Sequence, residues 1–141
     1  MPHARSRVIG RRAPPQLKAM LERMGTSIEA VLRGRWAFVG RLHRAGVRLI
    51  SGGDSGISAS KPHGMLPQAI QELVLSGLSV AEAVASATSG AGDALGLADR
   101  KGRLLAGYDA DLLIVDGDLS SDVNVLSRPQ AVHLRGAPIT L

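Results

Sequence analysis

Apolar positions recur at helical spacing through the first two thirds of the chain and in short extended runs through the last third. Leu17, Met20, Leu21 and Met24 share one face of a short predicted helix that Gly25 ends. The stretch Thr26-Ser27-Ile28-Glu29 fits a capping box, with Thr26 as the cap and a helix following to about Ala45. Val31, Leu32, Phe38, Val39 and Leu42 form its apolar face, and Gly46 is its stop. Residues 47–51 then read as a short strand, followed at once by Gly52-Gly53-Asp54-Ser55-Gly56, a permissive loop. A further helix is predicted over 63–76, with Leu66, Ile70, Leu73 and Val74 on one face and Gly77 as the stop. Ser79-Val80-Ala81-Glu82 is a second capping box that opens a helix to about Thr88, and one more helical turn is expected over 92–95.

Beyond Gly96 the character changes. Residues 102–104 read as a short extended piece, 107–110 as a turn, 111–116 and 131–135 as strands, and 136–138 as a turn back. Three parts follow from this: a basic irregular segment over 1–25 with a short helix, helix–strand–helix units over 26–96, and β strands over 97–141. The chain shows no internal repeat and no low-complexity tract.

Composition narrows the chemistry. At 141 residues the chain suits one ordinary domain and is too short for a complete (β/α)₈ barrel, which needs roughly 250 residues. Aromatics make up 2%, so the core must be aliphatic, and base-stacking nucleic-acid folds are disfavoured. With no cysteine, disulfides, thiolate metal sites and a cysteine nucleophile are excluded, which fits a cytoplasmic protein. No apolar run approaches the roughly 20 residues of a membrane span. Charge is uneven: residues 1–48 hold eleven Arg and Lys against two acids, and the remainder holds six against ten. The basic residues are scattered rather than run together, which favours an arginine-rich helix face over a nucleic-acid arm.

Asp54 is the first candidate for chemistry. It follows an apolar strand inside a Gly-rich loop, and in parallel α/β architectures catalytic groups sit at the C-terminal ends of strands. A carboxylate there can ligate a cation or accept a proton from water. Position alone favours a turn aspartate that bonds its own backbone or caps a helix. His63, before Gly64 on the loop after Asp54, is a substrate contact or else a helix-capping or simply solvent-exposed residue, the commoner outcome for such a position. His43 in a helix and His133 in a late strand lack a ligand context, and the spacing of Asp109, Asp111, Asp116 and Asp118 does not match a Ca²⁺ loop. These last four read as turn and strand-end charges.

Three stretches together resemble the C-terminal region of the amidohydrolase superfamily, especially its imidazolonepropionase-like members. Residues 45–56, ending in Ser51-Gly52-Gly53-Asp54-Ser55-Gly56, are similar to the last barrel strand and its loop. The second stretch is His63-Gly64, then Glu72-Leu73-Val74-Leu75-Ser76-Gly77-Leu78-Ser79, Glu82-Ala83, Ala87-Thr88-Ser89 and Ala94-Leu95-Gly96-Leu97. The third, residues 102–118 with Gly107-Tyr108-Asp109-Ala110-Asp111-Leu112-Leu113-Ile114-Val115-Asp116, resembles the return to a small β domain. The resemblance implies an α/β fold: the C-terminal fragment of a TIM-type (β/α)₈ barrel followed by strands of a small composite β domain.

The implied activity is hydrolysis of non-peptide C–N bonds in amides or cyclic amides by a metal-activated water. The resemblance makes Asp54 both a metal contact, with zinc as the expected ion, and the proton shuttle, and puts His63 against substrate. The family's His-x-His pair has no counterpart here: His3-Ala4-Arg5 is not such a pair. One aspartate cannot hold a catalytic zinc, which typically takes three protein ligands. Gly53 stands where these members commonly have Thr, and Gly90 where Asn is common. The expectation is therefore a hydrolase fragment inactive alone, with a small-molecule substrate and either a homo-oligomer or an N-terminal partner chain. The alternatives are a complementing subunit of a split hydrolase and a basic nucleic-acid-binding module.

Overall fold

Glycine stops set the helix ends. The structure, a computed structural model, describes residues 14–56 and 61–140. Helices α1 (Pro15–Arg23), α2 (Ile28–Arg44), α3 (Leu66–Leu75), α4 (Val80–Ala85) and α5 (Ser89–Ala94) precede strands β1 (Leu112–Val115), β2 (Pro129–Leu134) and β3 (Ala137–Ile139). A 3₁₀ turn over Val123–Ser127 lies between β1 and β2. The basic segment expected before α1 falls mostly outside the described residues.

Helices α1, α2, α3 and α5 close in the same way. A glycine with positive φ (Gly25, Gly46, Gly77, Gly96) follows the cap, and the next residue donates back to a carbonyl five positions earlier. This motif corrects one expected cap. The Thr26 N–H is committed to the Leu21 carbonyl at 3.0 Å, so Thr26 belongs to the end of α1. Ser27 caps α2 instead, its hydroxyl accepting from Ala30 N–H at 3.2 Å. The second capping box forms as expected: Ser79 Oγ accepts from Glu82 N–H, and the Glu82 carboxylate accepts from Ser79 N–H at 2.8 Å.

Helix α2 crosses α3 where Gly40 is buried. A Cβ there would lie 2.2 Å from the Ser76 carbonyl oxygen, so the crossing depends on the missing side chain. The core gathers Ile70, Leu78 and Ala83 with Val123 and Leu126 of the 3₁₀ turn, and Leu49, Leu73 and Val84 pack against it. As composition required, every one of these residues is aliphatic.

Residues 47–51 do not form the expected strand. They follow the end of α2 as irregular chain, and no neighbouring strand pairs with them among the described residues. A strand is defined by its ladder, and the sequence pattern of residues 47–51 carries no information about whether a partner is present. What fixes the segment is Ser51, whose N–H donates to the Ser86 carbonyl at 2.9 Å. The Ser51 and Ser86 hydroxyls lie 2.6 Å apart.

The described sheet is antiparallel with order β1-β2-β3. Residues 102–104, expected to be extended, are a bend and open chain, and Gly102 is pressed against the Thr88 carbonyl. Residues 136–138 were expected to turn, but the turn sits one residue earlier and Ala137 and Pro138 already belong to β3. Arg135 and Gly136, with φ of 51° and 80°, make the two-residue hairpin. Asp111 stabilises this turn by accepting from the Arg135 N–H at 2.9 Å. The sheet leaves Leu113, Ile114, Leu134 and Ile139 exposed.

Candidate catalytic site

The Gly-rich loop after residues 47–51 carries Asp54 in the left-handed region, at φ 43°. Aspartate tolerates this conformation better than bulkier residues because its short side chain bonds locally. The side chain is 71% exposed, so the carboxylate is open to a substrate or a partner. Its Oδ2 accepts from Lys61 Nζ. The Gly56 N–H donates to the Lys61 carbonyl at 2.7 Å, which closes the loop on itself.

His63 belongs to the same closure. A Cβ at Gly56 would lie 2.7 Å from His63 Cε1 and 2.8 Å from Nε2, so the imidazole lies directly over that glycine. Gly56 is doubly required, by its φ of 88° and by the ring. The structure thus gathers an open carboxylate, an ammonium and an exposed imidazole on one loop. His63 caps no helix: α3 starts at Leu66, and its N-cap Met65 makes no side-chain cap bond.

Lys61 is the residue that sequence reasoning left aside. A lone lysine in a polar loop has no periodicity and no motif, and only the loop closure puts it on Asp54. Other candidates are committed elsewhere. His43 Nε2 is 3.4 Å from Glu82 Oε1. Glu82 is held below the usual carboxylate range, first by the Ser79 hydroxyl and then by the Ser79 N–H. Asp109 and Asp111 flank Lys101, at 2.8 Å for Asp109, and act as structural charges. Asp118 accepts from the Ser120 N–H and hydroxyl at 2.9 and 2.7 Å, which makes it a turn residue as expected.

The donor set does not make a metal centre. Among the described residues no three His, Cys, Asp or Glu side chains lie together in a way that could hold an ion. Asp54 is alone in its loop as a carboxylate, and the group it faces is a cation. The residues present therefore do not fit a complete catalytic zinc site.

The profile of the amidohydrolase family matches residues 13–136, and the chain belongs to that family. Among solved structures it is similar to a Xaa-Pro dipeptidase with methionine bound in its active site. The TM-score is 0.69 at 25% identity, over 75% of this chain and 25% of that one. It is also similar to an amidohydrolase, with TM-score 0.66 and 28% identity over 74% of this chain and 25% of the other. A molinate hydrolase shares the fold at TM-score 0.63 and 23% identity, over 72% and 25%. The chain thus spans about a quarter of the length of the structures it matches. No curated protein matches it. No helix among the described residues is long and apolar enough to cross a membrane.

Proposed function

We propose that this chain contributes to the hydrolysis of carbon–nitrogen bonds in small amides or cyclic amides, and that Asp54 is its catalytic carboxylate. Support comes from family membership and from one observation: Asp54 stands open on a Gly-rich loop, directly after the segment that packs on the core at Leu49. Hydrolysis needs a group that takes a proton from water and gives it to the departing nitrogen. An exposed aspartate fixed by its backbone can do both, and the glycines beside it let a substrate approach closely. His63, exposed over Gly56, is placed to contact the substrate from the same loop.

The divalent metal of the family, zinc by the resemblance, would take Asp54 as one contact and its remaining ligands from beyond the described residues. The chain is then one part of a catalytic unit. One matched structure is a Xaa-Pro dipeptidase, and that likeness favours small amino-acid amides over polymers as the substrates of this chain. The test is a genomic Asp54→Asn substitution in the organism that carries the gene. Amide and dipeptide hydrolysis by the protein recovered in its native assembly should fall by about 10²–10⁴-fold, the usual worth of a positioned proton-transfer group. Undiminished hydrolysis in that variant would remove Asp54 from the chemistry.

A further inference from the structure

We propose that Lys61 is the specificity-determining residue of the Asp54 loop, and that it selects amides carrying a carboxylate one carbon from the amide nitrogen, the N-acyl α-amino acids. This names the substrate class of the function proposed above and rests on it. An ammonium has three N–H donors and no acceptor. Among the described residues, Asp54 Oδ2 is the acceptor that Lys61 Nζ meets, so donors remain for a second oxygen. Both side chains of the pair are exposed, and an exposed ion pair is weak enough for a ligand oxygen to share or replace it. The His63 imidazole lies over Gly56 on the same exposed loop and makes no hydrogen bond among the described residues, which leaves its N–H for the same ligand. Arg35, which shares a groove with Gly52, is tied to Glu72, so Lys61 is the cation open to a ligand beside Asp54.

Charge and reach decide the ligand. Asp54 repels any anion that comes close enough to be hydrolysed, and Lys61 offsets that repulsion with one positive charge. One ammonium beside one carboxylate suits a monoanion. A phosphate dianion would face Asp54 with a single lysine to balance it, and residues 52–64 include no arginine to bind it at two points. Reach follows from contact. Lys61 touches the carboxylate that serves the C–N bond, so the group it holds must lie next to that bond. In an N-acyl α-amino acid a single carbon separates the amide nitrogen from the carboxylate, which meets that requirement.

The experiment compares two ligands without a C–N bond to cleave. 4-Oxopentanoate copies N-acetylglycine with a methylene in place of the amide N–H. Hexane-2,5-dione replaces its carboxylate by a neutral acetyl group. Dissociation constants are measured by saturation-transfer NMR on the protein recovered in its native assembly. 4-Oxopentanoate should bind at least tenfold more tightly, a difference of about 1.4 kcal/mol. Lys61→Met should abolish the difference and leave the affinity for hexane-2,5-dione unchanged. Lys61→Arg, which keeps the charge, should retain the preference.

Equal affinities in the unsubstituted protein, or a preference that survives Lys61→Met, would overturn the proposal. Loss of both ligands in Lys61→Met would also overturn it, since a merely structural lysine acts on both alike. So would displacement of 4-oxopentanoate by inorganic phosphate at a lower concentration than by N-acetylglycine. No readout involves hydrolysis, so the carboxylate preference can stand if Asp54 proves inert, and can fail while Asp54 remains catalytic.

Discussion

Ser51 and Ser86 hold the segment that leads to Asp54: their hydroxyls lie 2.6 Å apart, and the Ser51 N–H donates to the Ser86 carbonyl at 2.9 Å. Ser86 is 4% exposed and its hydroxyl also reaches the Ala83 carbonyl at 2.6 Å. Ser86→Ala removes one buried hydroxyl and leaves Ser51 short of a partner. The expected cost is about 1–2 kcal/mol, measured by urea denaturation, with an unchanged m value. No change in midpoint would mean that water replaces the hydroxyl at no cost.

Gly40 sets how closely α2 approaches α3. A methyl group 2.2 Å from the Ser76 carbonyl must push the helices apart. Gly40→Ala should destabilise the chain by about 1–3 kcal/mol, despite the higher helix propensity of alanine. Gly34, in the same helix with no atom within 4 Å of its added Cβ, is the control: there Gly→Ala should stabilise, by about 1 kcal/mol.

Much of this framework is readable in the sequence, because its signals are local. Gly25, Gly46 and Gly77 end helices where the apolar period stops, and Ser79 with Glu82 announces the capping box. What stays hidden depends on distant residues. Val47 to Ile50 have a strand's composition, but whether a neighbour pairs with them is not written in their own pattern. The cap on Ser27 instead of Thr26 depends on the preceding helix claiming the Thr26 amide. The Gly-rich loop that carries Asp54 is legible in the sequence, and the catalytic role proposed for Asp54 rests on that loop and on the resemblance. The pairing with Lys61 and the imidazole over Gly56 were not, since loop closure leaves no periodic trace.

Acid and alkali should both loosen the link between the 97–111 loop and the hairpin. Lys101 holds Asp109 below the usual carboxylate value of 3.8, and it does the same for Asp111, with the Arg135 N–H adding to the effect. These carboxylates contribute stability that is present above 3.8 and lost as pH falls through their lowered folded values. Lys101 is raised above 10.5, first by Asp109 and then by Asp111, so its contribution is lost only as pH rises through that raised value. Thermal stability should be level between these limits as far as this cluster is concerned. Lys101→Met should lower it at neutral pH and flatten both flanks. Unchanged flanks in that variant would assign the pH dependence to other groups.

The Asp54–Lys61 pair is exposed on both sides, at 71% and 47%. Exposed ion pairs contribute about 0–1 kcal/mol, so Lys61→Ala should leave global stability within that range. If stability falls further, the loop is a structural element of the fold and not merely a carrier of Asp54.

In the function proposed above, this chain brings Asp54 to a hydrolase whose remaining metal ligands lie elsewhere. Zinc content settles it most directly: the purified chain and its Asp54→Ala variant are equilibrated with zinc, desalted and measured by elemental analysis. No stoichiometric zinc is expected in either protein. One zinc per chain, lost in Asp54→Ala, would contradict it and show that a metal centre assembles within these 141 residues.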